Sequence, residues 1–279
     1  MAEKTFKYQS SEIFYRTIGA GKPVVLIHGF AEDGEVWKNQ IEFLKQHCYL
    51  IIPDLPGSGQ SELIEDMSIE GMAEVIKEIL NFELQKFPRI LSEAEGQGAE
   101  GVCLIGHSMG GYISLAFADK YPHMLSSVAL VHSSAFADTE EKKANRLKSI
   151  EFVKKNGAFE FLKAVITDLF SENWASNNQD IVDVQIEKSK DFTDGAIIAY
   201  YQAMINRPDR TDVLKNFGKP ILFVIGEHDK AVPFEQSMQQ CYLPDRSVIQ
   251  ILRNTAHMGM FEEANKTNQA ILQLIHTHL

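Results

Sequence analysis

Apolar residues collect in short unbroken runs along the chain: Pro23-Val24-Val25-Leu26-Ile27, Tyr49-Leu50-Ile51-Ile52, Val102-Cys103-Leu104-Ile105, Val128-Ala129-Leu130-Val131 and Ile221-Leu222-Phe223-Val224-Ile225, with a further strand at Ser247-Val248-Ile249-Gln250-Ile251-Leu252. Runs of this length without apolar and polar alternation suit strands covered on both faces. Between them the apolar positions return at helical spacing, predicting helices over 36–46, 69–86, 109–120, 234–241 and 262–276. Residues 6–18 read as two short antiparallel strands, and the polar, glycine-rich stretch 92–101 as a surface loop. Strand and helix in alternation predict an α/β fold around a parallel sheet.

The rhythm breaks between Phe136 and Arg210, where helical periodicity continues with no strand-like run. Three or four helices are expected there, over 139–156, 158–170, 178–190 and 194–206. The expected organisation is a core made of 1–135 and 211–279 with a helical cap, 136–210, inserted into it.

Composition narrows the function class. With 279 residues, 44% of them hydrophobic, the chain can bury a large single core. A formal charge of -11 repels phosphate backbones and anionic lipid, so neither nucleic acid nor a membrane surface is an expected partner. The first residues carry no apolar signal region and no run approaches the ~18 apolar residues of a spanning helix, so a cytoplasmic protein acting on a small molecule is expected, as monomer or homodimer. Cys48, Cys103 and Cys241 lie far apart in apolar surroundings, which predicts buried reduced thiols and no zinc site.

The chemistry concentrates at Gly106-His107-Ser108-Met109-Gly110, a Gly-x-Ser-x-Gly sequence standing where a strand turns into a helix. The turn forces the serine into an exposed position, and the flanking glycines let the two backbones pass. A serine hydroxyl needs a general base, and the base needs a carboxylate that fixes its tautomer. Downstream of Ser108, Asp229 in Gly226-Glu227-His228-Asp229 and His257 in Thr255-Ala256-His257 both follow expected strands, at the rim where open α/β sheets bind ligands.

With these landmarks, together with His28-Gly29-Phe30 and Asp54-Leu55-Pro56-Gly57-Ser58-Gly59-Gln60-Ser61, the chain resembles the α/β-hydrolase family over nearly its whole length. The resemblance implies a mostly parallel eight-stranded sheet with helices on both faces. It implies Ser108 as nucleophile, His257 as base and Asp229 as orienting acid, and the backbone N–H groups of Phe30 and Met109 as the oxyanion hole. No cofactor or metal is implied. Glu227 is the competing acid, and the family's G-x-x-D pattern favours Asp229. Asp54, Gly57 and Gly59 read as a turn device, and His28 and His107 as hydrogen-bonded structural histidines. His132 and His228 near the rim lack a nearby acidic ligand set, and Tyr200, Tyr201 and Met204 read as core or pocket wall. The expected activity is serine-dependent hydrolysis of a small carboxylic ester. Carbon-carbon bond hydrolysis of a meta-cleavage product, thioester or lactone hydrolysis, and a ligand-binding receptor role use the same residues.

Overall fold

A computed structural model describes residues 1–85 and 101–276; the expected loop over 92–101 therefore falls almost wholly outside the described residues. The strands are β1 (Ala2–Tyr8), β2 (Ser11–Gly19), β3 (Pro23–Ile27), β4 (Tyr49–Pro53), β5 (Val102–His107), β6 (Leu125–Val131), β7 (Ile221–Gly226) and β8 (Ser247–Leu252). They form one sheet in the order β1-β2-β4-β3-β5-β6-β7-β8. The β1–β2 and β2–β4 pairings are antiparallel, and every later pairing is parallel.

The unbroken apolar runs are the central strands. Every residue of β3, β5, β6 and β7 is buried. Each large aliphatic side chain so enclosed stabilises the fold by about 1.5–3 kcal/mol. Helices α1 (Lys38–Leu44), α2 (Ile69–Leu84), α3 (Met109–Lys120), α10 (Phe234–Cys241), α11 (Gly259–Glu262) and α12 (Ala264–His276) accompany this sheet in sequence. Between β6 and β7 run α4 (Glu140–Asn156), α5 (Ala158–Asp168), α6 (Glu172–Asn177), α7 (Gln179–Lys188), α8 (Asp194–Asn206) and α9 (Thr211–Asn216), with no strand among them.

Three differences from the sequence reading have local causes. The helix expected over 36–46 opens as a 3-10 turn, Gly34–Trp37, because Asp33 caps the Glu35 N–H at 2.8 Å and fixes a tighter start. The short helices α6 and α9 were not expected. Each is about a turn and a half, too brief for periodicity to register. The closing helix is split at Glu263, whose φ of -135° and ψ of 50° leave the helical region.

Asp54, at the end of β4, does the work of a turn clamp. Its buried carboxylate accepts from Arg16 Nη1 at 2.8 Å, from the Gly34 N–H at 2.9 Å and from the Gln60 N–H at 3.1 Å. One side chain thus ties β2, the loop after β3 and the Gly57–Gly59 turn, whose glycines sit at φ 84° and 52°. Removing one partner of a buried pair strands the other's charge. Asp54→Ala should therefore lower stability by about 3–5 kcal/mol, read as a shift in the denaturant midpoint; a change within measurement error would show that Arg16 finds water instead.

Candidate active site

β5 delivers Ser108 onto a turn that ordinary residues avoid. Its φ of 49° and ψ of -114° lie in a sparsely populated region, a conformation that costs on the order of 1–3 kcal/mol. Three hydrogen bonds hold it there. The Ser108 N–H donates to the Val131 carbonyl at 2.9 Å, and its carbonyl accepts from the Gly111 N–H at 3.0 Å and from Ser133 Oγ at 2.7 Å. The motif glycines are required by contact: a Cβ on Gly106 would meet the Gly110 carbonyl oxygen at 2.3 Å, and one on Gly110 would meet the Ile27 carbonyl oxygen at 2.3 Å.

Asp229 follows β7 and is buried, with all its accepting capacity used. Oδ1 accepts from the Ala231 and Val232 N–H groups, each at 2.9 Å. Oδ2 meets His257 Nδ1 at 2.8 Å and His132 Nδ1 at 3.1 Å. Burial alone would raise this carboxyl, but the His257 charge and the hydrogen bonds from His132 and His257 hold it well below the ordinary carboxylate range. Glu227, by contrast, is exposed and carries no side-chain contact to His257 among the described residues.

His132 is where the sequence reading needs correction. It does have an acidic neighbour, since Asp229 stands between it and His257. The three residues offer ligand atoms within 4.8 Å of one another. Hydrogen bonds account for that closeness. His132 Nε2 accepts from the Gly259 N–H at 3.2 Å, which places the ring proton on Nδ1 facing Asp229. Burial pushes His132 down to about 4, so it is neutral near pH 7 and braces the carboxylate as a second N–H donor. His228 is exposed and takes no part.

His257 is held through its own peptide. Its N–H donates to the Leu169 carbonyl just after α5 at 2.9 Å, and its carbonyl lies 3.0 Å from His107 Nε2. The other nitrogen of His107 faces Glu32 Oε2 at 2.9 Å, and that carboxylate also accepts from the Gly29 N–H at 2.6 Å. Both His107 nitrogens therefore face acceptors, and only the imidazolium can donate to both. Burial opposes that charge on His107, but the Glu32 charge and hydrogen bond raise the ring above its ordinary value. Burial likewise opposes ionisation of Glu32, and His107 holds it below the usual carboxylate range. Glu32 was not singled out by sequence; a lone acid two residues beyond Phe30 carries no signal of its partner 75 positions away.

His28 has the structural place expected of it. Its Nε2 accepts from the Leu55 N–H at 2.8 Å, leaving Nδ1–H for the Gly29 carbonyl at 2.9 Å. Tyr200 is core, its hydroxyl donating to the Pro56 carbonyl at 2.6 Å, whereas Tyr201 and Met204 line a cavity of about 240 Å³. Ser108, His257, His107 and Phe30 border the same cavity. The Phe30 N–H takes no partner among the described residues, and the Met109 N–H, at the first position of α3, has none within its helix. The three cysteines are buried and unpaired, and burial raises the thiols of Cys48 and Cys241 to about 12 and that of Cys103 to about 11.

The family model described as alpha/beta hydrolase fold matches residues 22–264. The chain belongs to this family. A solved thermophilic esterase from Thermogutta terrifontis, with malate bound, superposes with a TM-score of 0.86 at 28% identity, covering 99% of this chain and 100% of that one. Lipase 1 of Psychrobacter immobilis is 28% identical over 253 residues, 89% of this chain and 75% of its own. The 2-hydroxy-6-oxo-6-(2'-aminophenyl)hexa-2,4-dienoic acid hydrolase of Metapseudomonas resinovorans is 24% identical over 275 residues, covering 95% and 87%. The protein is thus a hydrolase with esterases and a meta-cleavage hydrolase among its relatives. No helix of the described residues is long and apolar enough to cross a membrane.

In this hydrolase the Glu32–His107 pair has a pH signature. A histidine whose folded value is raised stabilises fully below its unfolded value of 6.5 and loses that contribution as pH rises through the folded value. A glutamate whose folded value is lowered stabilises above 4.5 and loses it as pH falls through the folded value. The destabilisation caused by His107→Gln should therefore be greater at about pH 5.5 than at about pH 9. Equal destabilisation at both, measured by chemical denaturation, would mean that the pair is uncharged.

Proposed function

We propose that the protein is a carboxylic ester hydrolase working through an acyl-enzyme, with Ser108 as nucleophile, His257 as general base and Asp229 as the acid that orients it. The observation that carries this reading is the strained Ser108 turn facing the same cavity as a histidine whose Nδ1 is fixed by a buried, fully satisfied carboxylate. With Nδ1–H spent on Asp229, Nε2 is the nitrogen left to take the Ser108 proton. Oγ then attacks the ester carbonyl, and the unpartnered N–H groups of Phe30 and Met109 receive the developing oxyanion. His257 passes the proton to the departing alcohol, then activates water to release the acid and regenerate Ser108. Residues 136–210 act as a cap that closes the cavity and sets specificity, and the buried thiols suit a reducing, cytoplasmic setting.

The reading draws further support from the esterase with which the chain shares 28% identity over its full length. Carbon-carbon bond hydrolysis is the second reading, supported by the likeness to the dienoic acid hydrolase. A diketo acid offered beside simple esters separates the two by which is turned over faster. Ser108→Ala should lower kcat for p-nitrophenyl butyrate by about 10⁵- to 10⁶-fold and abolish labelling by a fluorophosphonate, with the circular dichroism spectrum unchanged. Retained turnover or retained labelling in that variant would remove Ser108 from the mechanism.

A further inference from the structure

The cavity has one wall unlike the rest. Most of its lining is apolar, from Phe30, Val165, Leu169, Tyr201, Met204 and Val232. Against this stands a polar stripe of α4: Lys142, Asn145, Arg146 and Ser149 all border the cavity. Their spacing of three, four and seven residues puts them on one helix face.

The cations in this stripe are incompletely used. Lys142 Nζ donates once, to the Ala231 carbonyl at 2.8 Å, and has no carboxylate within ion-pairing distance among the described residues. Arg146 donates through Nε to Asp138 Oδ2 at 2.6 Å, while its two terminal nitrogens make no hydrogen bond among the described residues. Asp138 does not neutralise the wall, because it is shared: its other oxygen accepts from Arg207 at 2.9 Å. Arg207 in turn lies 3.9 Å over the ring of Tyr112, itself a cavity residue. Glu32, the remaining carboxylate on the cavity, is spent on His107 and the Gly29 N–H. Lys142 therefore has no carboxylate partner among the described residues, and Arg146 shares its single one with Arg207, in a protein whose overall charge is -11.

Lys142 and Arg146 are half-buried at the cavity wall, and donors so placed gain more from a bound anion than fully solvated ones. The Arg146 fork suits the two oxygens of a carboxylate, and Lys142 adds a point charge four residues away on the same face. We infer that Lys142 and Arg146 form a subsite for a carboxylate carried by the substrate, so that the preferred substrates are short monoesters of dicarboxylic acids. The inference rests on the ester-hydrolase reading given above. A volume of about 240 Å³, below the roughly 300–1,000 Å³ of drug-sized sites, keeps such a substrate short.

Two isosteric esters test it: monomethyl glutarate, and methyl 5-methylhexanoate, in which an isopropyl group replaces the carboxylate. Followed by pH-stat, wild-type kcat/KM should favour the anionic ester at least about tenfold, the lower end expected for one charge-assisted hydrogen bond. Lys142→Met should lower that ratio about tenfold or more, and Arg146→Met likewise, with Arg146→Lys restoring part of it. Free glutarate should inhibit the wild type competitively and the Lys142→Met variant far less. Should Arg146→Met fail to fold through loss of the Asp138 contact, the Lys142 variant alone decides, since among the described residues the one hydrogen bond of the Lys142 ammonium is to a carbonyl. A wild type that prefers the neutral ester, or a ratio unmoved by Lys142→Met, overturns the subsite. Ser108→Ala separates this from the underlying reading: turnover of both esters surviving in that variant refutes the ester-hydrolase mechanism, whereas serine-dependent turnover without charge preference refutes only the subsite.

Discussion

A carboxylate placed in an apolar interior must be fully hydrogen-bonded or it does not stay ionised. Around Asp229 that requirement organises the whole rim. Four N–H groups converge on it, from the loop after β7, from His132 at the end of β6 and from His257 beyond β8. Three strand ends are thereby fixed relative to one another by one charge. The same logic repeats across the cavity, where Glu32 and His107 tie the loop after β3 to the β5 turn and then to the His257 carbonyl. The catalytic geometry proposed for Ser108 depends on these buried carboxylates as well as on the hydrogen bonds that hold the serine turn.

Much of this was legible in the chain. The buried strands announced themselves because a parallel sheet covered on both faces needs unbroken apolar runs; Ser108 and Asp229 stood just after such runs, and His257 after the mixed, half-buried strand β8. The edges of the sheet were less legible. β1 alternates between exposed and half-buried positions without one fully buried residue, and it begins at Ala2, four residues before its expected start, since its pairing with β2 is set by the turn at Gln9 and Ser10 rather than by its own apolar content. The partners of the buried polar groups were not legible at all. Glu32 meets His107, and Arg207 meets Asp138, across 75 and 69 positions, distances over which neither spacing nor composition carries information.

The helical segment between β6 and β7 shows the same division. Its helices α4, α5, α7 and α8 could be read from periodicity to within a few residues. Which faces turn inward could not, because α4 buries only Ile150 and Val153 and presents polar residues in almost every direction. A helix so polar is held by its ends and by its ion pairs. Thr139 caps its first turn, and Arg146 anchors it to Asp138. The polar stripe it turns to the cavity is indistinguishable in sequence from its solvent face.

The close approach of Gly106 and Gly110 bears on how this protein can change. A single added methyl at either position drives into a backbone carbonyl, which cannot rotate aside as a side chain would. Any side chain at either glycine therefore forces the backbone of the serine turn to shift before its effect on chemistry can be felt. The wall of α4 is bound by no such backbone limit, since Lys142 and Arg146 meet the rest of the protein through side-chain nitrogens. A change at the α4 wall acts on side-chain contacts, whereas a change at the serine turn meets backbone.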